Sequence, residues 1–323
     1  MNNNNVIYKV LRCLYHFVNF IRALPRILRR RRDGKTIWCE AYIKQKNGKF
    51  INNNWGDDLN KYLFEYITDR KVAFLPFTRL HPFFCVEHYS LIGSIIGFYR
   101  LDNVIVYGSG LMDPDRKITG KPEKVLCVRG PKTRAALIDK GIECPEIYGD
   151  PALLIPLFYS PPVTKRNIIT VIYNEATPGK TVEKWASALQ YDGEIRVLSM
   201  TSYQKWTDIV DSIAESRYVI SESLHGLIVA EAFYVPSVWV EFIQHQSFWS
   251  FKYEDFYESI GKYNMESVKI FHDNSAEAVF EALKNWKCGE ISCDGLLDAF
   301  PFDFIRSPDS NRIKKQKGSE FFP

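Results

Sequence analysis

The sequence predicts an α/β fold made of two doubly wound, Rossmann-like domains. Short apolar runs alternate with helical stretches, and strands that alternate with helices form parallel βαβ units. The alternation occurs in two series, and the segment between them, 156–166, contains three prolines. The chain has 323 residues, of which 46% are hydrophobic and 25% are charged. This length and composition suit two medium domains and exclude a disordered, collagen-like or coiled-coil chain.

The hydrophobic pattern places the elements of each series. The first series predicts strands at 36–43, 103–108, 124–129 and 145–150, with helices near 57–69, 90–99 and 131–140. The second predicts strands at 167–175, 194–200, 217–221 and 237–241, with helices near 180–190, 204–215, 225–234 and 275–287. The boundaries that follow are a basic segment at 1–34, domains at 35–160 and 161–290, and a tail at 291–323.

The first 32 residues differ in charge from the rest of the chain. They contain eight Lys or Arg residues and no acidic one, whereas the net charge of the whole chain is only +4. Within 6–32, Leu11, Leu14, Val18 and Ile21 recur at helical spacing opposite basic and polar residues. The segment is too charged to span a bilayer, so an in-plane helix on an anionic membrane surface is expected. The alternatives are a helix docked on the protein's own body and a disordered basic arm.

Other partners and ligands have weaker support in the sequence. No stripe of basic and aromatic residues follows residue 32, so a nucleic-acid partner is not expected. Seven scattered cysteines, an odd number, indicate a reduced, cytoplasmic compartment. The pair Cys288 and Cys293 lacks a second pair, and the group His81, Cys85 and His88 lacks a fourth ligand. No metal site is therefore expected.

Two turns of the first series carry candidate ligand-binding residues. Ligands of open parallel sheets bind beyond the carboxyl ends of the strands. The segment 52–64 places Asn54, Gly56 and Asp57 at a helix start, although simple N-capping explains an Asp there equally well. The turn of Gly108, Ser109 and Gly110 follows a strand, where its amides could approach a ligand closely. Such glycine turns are common, so the turn alone is weak support.

Two further turns carry cationic residues at a helix start. Arg129 ends a strand, and its guanidinium has the geometry to bind a carboxylate or phosphate. The segment 219–233 ends a strand and starts a helix, whose free amides can bind an anion. Its candidate residues are Ser221, Glu222, Ser223, Leu224, His225 and Gly226. A histidine at such a place is more commonly a structural hydrogen-bonding residue, so each turn taken alone stays ambiguous.

Together these turns resemble the polysaccharide pyruvyl transferase family. The resemblance rests on NNNWGDDLN at 52–60, GSG at 108–110, VRGPKTR at 128–134, YGDPALLIP at 148–156 and ISESLHGLIVAEAF at 220–233. It extends from about residue 35 to about 245 and leaves out the basic segment. It implies a two-domain fold of the GT-B kind, phosphoenolpyruvate as the donor and a pair of sugar hydroxyls as the acceptor. The product would be a cyclic pyruvate ketal on a bacterial surface glycan, capsular or exopolysaccharide.

The resemblance also implies roles for the candidate residues. His225 would bind phosphate and donate a proton, Arg129 would bind the carboxylate or phosphate, and Asp57 would act as base or position the acceptor, with Glu222 as its substitute. Asn54 and Gly56 would shape their turn. Many members have arginine where this chain has Ser223, so the missing charge falls to Lys132, Arg134 or the helix amides, while Ser223 can donate a hydroxyl hydrogen bond. Asp150 would brace the hinge or contact a ligand. No metal or cofactor is implied.

The acceptor implied by the resemblance gives the basic segment a purpose. A polyprenyl-diphosphate-linked oligosaccharide on the cytoplasmic leaflet, bearing galactose with free 4- and 6-hydroxyls, would lie beside an enzyme held on the inner face of the membrane through residues 6–32. Two other classes of protein stay open. One is a nucleotide-sugar glycosyltransferase of the same architecture, and the other is a non-catalytic glycan-binding protein.

Overall fold

The protein contains two five-stranded parallel sheets. The computed structural model describes residues 35–46, 49–74, 87–271 and 275–309, together with Leu14, Val18, Ile21 and Arg312. The first sheet has the order β4-β1-β5-β6-β7 and the second β12-β11-β10-β8-β9, and a short hairpin, β2-β3, precedes the first helix. The strands are β1 Thr36–Glu40, β2 Lys44–Lys46, β3 Lys49–Ile51, β4 Lys71–Phe74, β5 His88–Ser90, β6 Val104–Tyr107, β7 Lys124–Cys127, β8 Ile168–Tyr173, β9 Glu194–Ser199, β10 Tyr218–Ser221, β11 Ser237–Glu241 and β12 Val268–Lys269.

Helices connect the strands in both halves, as parallel sheets require. They are α1 Trp55–Thr68, α2 Pro131–Asp139, α3 Ile155–Phe158, α4 Gly179–Ser187, α5 Thr207–Glu215, α6 Leu224–Ala232, α7 Phe251–Ser259, α8 Ser275–Lys284 and α9 Asp294–Asp298. Short 3-10 turns at Pro151–Leu154 and Ser247–Ser250 precede α3 and α7. The prediction of an α/β fold with two series of parallel strands is confirmed.

Helix α1 shows why these segments fold locally as they do. The side chain of Asn54 accepts a hydrogen bond from Gly56 N, which caps the helix, and two aspartates in its first turn favour the positive end of the helix dipole. Leu59, Leu63 and Ile67 recur at helical spacing and are fully buried. The helix ends at Asp69, which adopts a left-handed conformation. Its amino end is thereby fixed at the carboxyl edge of the first sheet.

Several elements differ from the sequence predictions. The predicted helix at 90–99 is wrong: the strand His88–Ser90 is followed by bends, because Gly93 and Gly97 both have positive φ. The predicted strand at 145–150 is reduced to a single bridge between Val128 and Tyr148. The sequence reading did not predict β4, β5 or α7.

One hydrophobic core contains buried residues from both halves of the chain. It contains Ile37 and Trp55 from the first half, and Ile172 and Leu224 from the second. Trp55 also bonds across the junction, since its backbone N–H donates to Met200 O at 2.8 Å and its indole N–H to Trp206 O at 2.8 Å. Burial of this much apolar surface holds the carboxyl edges of the two sheets together.

The segment 294–309 packs back onto the first half of the chain. Tyr107 donates a hydrogen bond to Leu296 O at 2.7 Å, and the ring of Phe300 stacks on Phe64 with centroids 5.8 Å apart. The sequence pattern gave no indication of this packing. Most of the predicted amphipathic helix at 6–32 lies outside the described residues. Leu14, Val18 and Ile21 are described, and each is helical and exposed.

Candidate active site

The site lies where the first turns of α1 and α6 meet. A methyl group on Gly56 would lie 2.0 Å from His225 Nδ1, so the imidazole rests directly against the backbone of α1. Every residue of α6 except His225 is buried. The two helices follow strands of different sheets. The structure therefore places the turn that contains Asn54 and Gly56 against His225, which lies in a different turn.

Asp150 faces the same imidazole. Its Oδ2 lies 3.7 Å from His225 Nε2, and among the described residues neither atom has a hydrogen-bond partner. The other oxygen, Oδ1, accepts from Ala152 N at 2.9 Å and thereby caps the 3-10 turn that packs against α6. Since Asp150 is almost completely buried, its negative charge can stabilise a positively charged imidazole across this short gap.

Asp57 is a carboxyl group of this site whose pKa lies near neutrality. It is partly buried, and a methyl group on Gly93 would lie 3.2 Å from its Oδ1. Loss of water raises the pKa of Asp57 to about 7; nearby His225 opposes this shift, while the charge of Asp58 adds to it. A carboxyl group with this pKa can accept or release a proton at neutral pH.

Glu222 has a different environment from Asp57. Its carboxylate is fully buried and accepts hydrogen bonds from Thr177 Oγ1 at 2.6 Å and from the backbone N–H groups of Asn174 and Phe242. Burial alone would raise the pKa of Glu222, but these bonds and His245, 3.4 Å away, bring it below its ordinary value. The group is therefore an ionised carboxylate whose oxygens are occupied by its own protein.

Arg129 is enclosed at the junction between the two halves. Its Nε and Nη2 lie 3.0 Å from Asp255 Oδ2, Nη1 donates to Ser94 Oγ at 2.5 Å, and Nη2 donates to Leu111 O at 2.6 Å. Asp255, on α7, also accepts from both the backbone and the hydroxyl of Thr133. This network ties α7 to the first sheet. A guanidinium has five N–H donors, so the contact with substrate that the sequence predicts must use those left over.

The other two cations predicted to bind substrate pair with side chains elsewhere. Lys132 Nζ lies 2.7 Å from Glu254 Oε2 and 3.3 Å from Glu258 Oε1. Arg134 pairs with Glu146 at 3.2 Å. Both cations are therefore neutralised in this structure by carboxylates of the protein itself.

The glycine turn after β6 packs tightly against its own protein. A methyl group on Gly108 would lie 2.3 Å from Pro151 Cδ, and one on Gly110 would lie 2.5 Å from Arg129 Cζ. Ser109 is buried and hydrogen-bonded to Ser90 Oγ at 2.8 Å. The turn therefore packs directly against Arg129 and against the 3-10 turn that follows Asp150.

The turn before α6 is held by its own hydroxyl group. Ser221 Oγ accepts from Ser223 N at 3.0 Å and donates to Ser223 O at 2.9 Å. A methyl group on Gly226 would lie 2.4 Å from that oxygen, and Leu224 is buried in the core. Ser221, Leu224 and Gly226 therefore set the direction of α6 and so the position of His225.

Three residues that the sequence reading missed complete the site. The ring of His245 stacks on that of Trp249 with centroids 4.7 Å apart, and Lys252 Nζ lies 3.7 Å from the centroid of the same indole ring. His245 follows β11 by four residues, so the rule that ligands bind at strand ends could have found it. Lys252 lies on α7, a helix that the hydrophobic pattern did not reveal.

Two relatives from curated proteins match much of the chain. The uncharacterized protein L143 of Acanthamoeba polyphaga mimivirus is 25% identical over 213 residues, which is 64% of this chain and 68% of that protein. The succinoglycan biosynthesis protein ExoV of Rhizobium meliloti (strain 1021) is 26% identical over 242 residues, or 73% of this chain and 70% of ExoV. In the described ranges no helix is both long and apolar enough to cross a membrane.

The family comparison covers more of the chain than the motifs do. The profile described as polysaccharide pyruvyl transferase matches residues 6–242. The match begins within the basic segment, which the motifs had left out, and it covers the strands of both sheets except β12. It also favours pyruvyl transfer over the two other classes that the sequence left open. The chain belongs to the polysaccharide pyruvyl transferase family and is a polysaccharide pyruvyltransferase.

Proposed function

We propose that the protein transfers the pyruvyl unit of phosphoenolpyruvate to two hydroxyls of one hexose in a bacterial exopolysaccharide, forming a cyclic ketal. The observation that carries the proposal is the meeting of His225 with Gly56 and Asp150 between the two sheets, 3.7 Å separating the imidazole from the carboxylate. The relation to ExoV, a succinoglycan biosynthesis protein, supports an exopolysaccharide as the product. The proposed architecture is GT-B-like, with the substrates between two Rossmann-like halves.

The donor carries a phosphate and a carboxylate, so its site needs fixed positive charge and N–H donors. The amino end of α6 offers both, because no side chain of the described residues caps its first turn and His225 lies in that turn. Arg129 adds positive charge through the N–H donors of its guanidinium that are not bonded to Asp255, Ser94 or Leu111. We place the phosphate at the start of α6.

The proposed reaction moves two protons. His225 donates a proton to the methylene carbon, which becomes the methyl group, and a sugar hydroxyl oxygen bonds to the central carbon. The bond between that carbon and the phosphate oxygen then breaks, and the second hydroxyl oxygen takes its place. One of the two hydroxyl protons makes up for the proton that His225 gave to the methyl group, and the other leaves with phosphate. Proton transfers by positioned groups contribute about 10²- to 10⁴-fold each.

Asp57 is the base that we propose for the hydroxyl protons. Its pKa of about 7 lets it accept a proton at neutral pH; it lies next to Gly56 in the chain and is close enough to His225 for the imidazole to affect its pKa. Glu222 is the substitute, but its oxygens already accept hydrogen bonds from Thr177 and two backbone N–H groups. Asp57 is therefore the better placed of the two.

We propose that the acceptor is a lipid-linked oligosaccharide with galactose, reacting at its 4- and 6-hydroxyls on the inner face of the cytoplasmic membrane. The support is the chemistry of residues 6–32, which combine eight basic residues with an apolar face. Leu14, Val18 and Ile21, spaced four and three residues apart, are exposed and helical. Exposed apolar side chains on a cationic helix suit an anionic bilayer surface.

The test is incubation of the purified protein with phosphoenolpyruvate and candidate acceptors. Release of inorganic phosphate should depend on a galactose-containing acceptor, and mass spectrometry should show the acceptor gaining pyruvate less one water. Galactosides methylated at O4 or at O6 are the matched controls and should not react. Turnover of a nucleotide sugar, with none of phosphoenolpyruvate, would overturn the proposal.

A further inference from the structure

Lys252 is a buried cation in the first turn of α7. It is only 9% exposed. Transfer of an ammonium group from water to a protein interior costs several kcal/mol unless a counter-charge or hydrogen-bond acceptors replace the water. The residues around Lys252 therefore decide whether this charge is balanced within the protein.

Within the described ranges, the close contacts of the Lys252 ammonium are aromatic. Nζ lies 3.7 Å from the centroid of the Trp249 indole ring and 5.1 Å from that of Tyr253. A cation over an aromatic face is stabilised by the ring, but this attraction offsets only part of the cost of burial. Lys262 makes a useful comparison: it is similarly buried over Trp286, but its ammonium is paired with the carboxylate of Glu231.

Among the described residues, no carboxylate forms an ion pair with the Lys252 ammonium. Glu222 and Asp57 are close enough to favour the charged ammonium, and Arg129 opposes it. The oxygens of Glu222, however, accept from Thr177 and from backbone N–H groups. Burial lowers the pKa of Lys252 to about 7, against an ordinary value of 10.5. The site thus contains a lysine whose positive charge would be stabilised by an added anion.

We propose that Lys252 binds an oxyanion of the donor, with Trp249 holding its side chain in place. The inference rests on the proposed function, because phosphoenolpyruvate supplies the oxyanion, either phosphate or carboxylate. A buried donor that gains a negatively charged partner contributes more than an exposed one, since little water competes for it. Lys252 would then supply the positive charge that many family members have as arginine and that this chain lacks at Ser223.

The test compares two lysines that both lie over a tryptophan. Phosphoenolpyruvate binding is measured by calorimetry for the wild type, Lys252→Gln and the control Lys262→Gln, together with thermal unfolding of each. We expect Lys252→Gln to weaken binding at least about tenfold, equivalent to about 1.4 kcal/mol, and Lys262→Gln to change it by less than about twofold. Lys252→Arg should restore much of the affinity. Lys252→Met, which keeps the side-chain length, replaces the glutamine variant if that variant does not fold.

The outcomes separate this inference from the proposed function. If the wild type transfers pyruvyl groups and folded Lys252→Gln binds phosphoenolpyruvate as tightly as the wild type, the role of Lys252 is wrong and the function stands. If the wild type neither binds nor consumes phosphoenolpyruvate, both are wrong. Competition by inorganic phosphate and by pyruvate distinguishes the two oxyanions: the competitor that loses its effect in Lys252→Gln identifies the group that Lys252 binds.

Discussion

The imidazole of His225 and the backbone of Gly56 are in such close contact that any side chain at position 56 would occupy the space of the ring. The two residues belong to helices that follow different sheets. Their contact therefore depends on how the two halves of the chain are positioned relative to each other. A change in either helix start alters the position of the imidazole relative to Asp57, Asp150 and the amino end of α6.

Gly56→Ala tests this contact. Alanine is favoured over glycine in a helix, so the substitution by itself should stabilise α1 slightly. Because its Cβ would lie 2.0 Å from Nδ1, we expect His225 to be displaced and phosphate release to fall about 100-fold. The control is Gly179→Ala at the start of α4, where the added carbon meets only the end of the Tyr173 side chain. Equal activity of the two variants would show that the contact does not position His225.

Asp150→Asn tests the charge facing the imidazole. The amide oxygen can still accept from Ala152 N, so the 3-10 turn should persist, but the negative charge 3.7 Å from Nε2 is lost. A charged imidazole is then less stable, and we expect kcat to fall about 10- to 100-fold with little change in KM for phosphoenolpyruvate.

Asp113→Asn is the matched control for Asp150→Asn. The carboxylate of Asp113 accepts from the backbone N–H two residues later, as that of Asp150 does, but Asp113 is only partly buried and faces no histidine described in the structure. Its steady-state kinetics should equal those of the wild type. A loss of kcat as large in Asp113→Asn, or a selective rise in KM in Asp150→Asn, would contradict a role for Asp150 in orienting and charging His225.

The rule that ligands bind where parallel strands end drew attention to His225, which follows β10 of the second sheet. It does not account for Gly56 and Asp57, because the strand before them, β3, belongs to the antiparallel hairpin; the motif at 52–60 marked those two residues. The partner of Arg129 could not be found in this way. Asp255 lies 126 residues further along, on a helix whose buried face mixes aromatic and charged residues. The spacing of hydrophobic residues does not predict a helix of this composition. The bends after β5 were missed for a related reason, since an apolar run is compatible with several conformations when its glycines are disregarded.

The stability of the protein should depend on pH through Asp57. Its pKa is about 7 when folded and near its ordinary value of 3.8 when unfolded. Between these values the folded state binds more protons, so the free energy of unfolding should decrease as pH rises from about 4 to 7. Asp57→Asn removes the contribution of Asp57 to this pH dependence. We expect the variant to gain on the order of 2 kcal/mol over the wild type between pH 4 and pH 8 in urea denaturation.

Lys252 gives a contribution of opposite sign in a separate pH range. Its pKa is about 7 when folded and 10.5 in the unfolded reference, so the unfolded state binds more protons between these values. Stability should therefore rise with pH from about 7 to 10, and Lys252→Met should abolish that rise.

The Asp57 prediction has its own contradicting outcome. An Asp57→Asn variant with the same pH profile as the wild type below pH 7 would show that the Asp57 carboxyl group titrates as an ordinary one.

Deletion of residues 1–32 tests the membrane proposal. The truncated protein should move from the membrane fraction to the soluble fraction, and it should bind vesicles containing anionic lipid much more weakly, by about 1 kcal/mol for each basic residue lost near the surface. Its activity on a short water-soluble acceptor should be unchanged. A full-length variant with Leu14, Val18 and Ile21 changed to serine separates the apolar contribution from the charge, and equal vesicle binding by all three proteins would argue against the basic segment as an anchor.

Arg129 is predicted to matter for stability even where it does not touch substrate. Its guanidinium and the carboxylate of Asp255 are both fully buried. Arg129→Met leaves that carboxylate without its charge partner, and we expect a loss of about 3 to 5 kcal/mol in the free energy of unfolding. The double variant Arg129→Met, Asp255→Leu should recover part of this loss, because no uncompensated charge is then buried.

Activity of the folded double variant separates the two roles of Arg129. A guanidinium that binds the donor cannot be replaced by methionine, whatever the stability, so phosphoenolpyruvate affinity should stay low in the double variant if the leftover N–H donors reach the substrate. A double variant with restored stability and nearly normal affinity would show instead that Arg129 acts by fixing α7, and with it Lys252 and Trp249, against the first sheet.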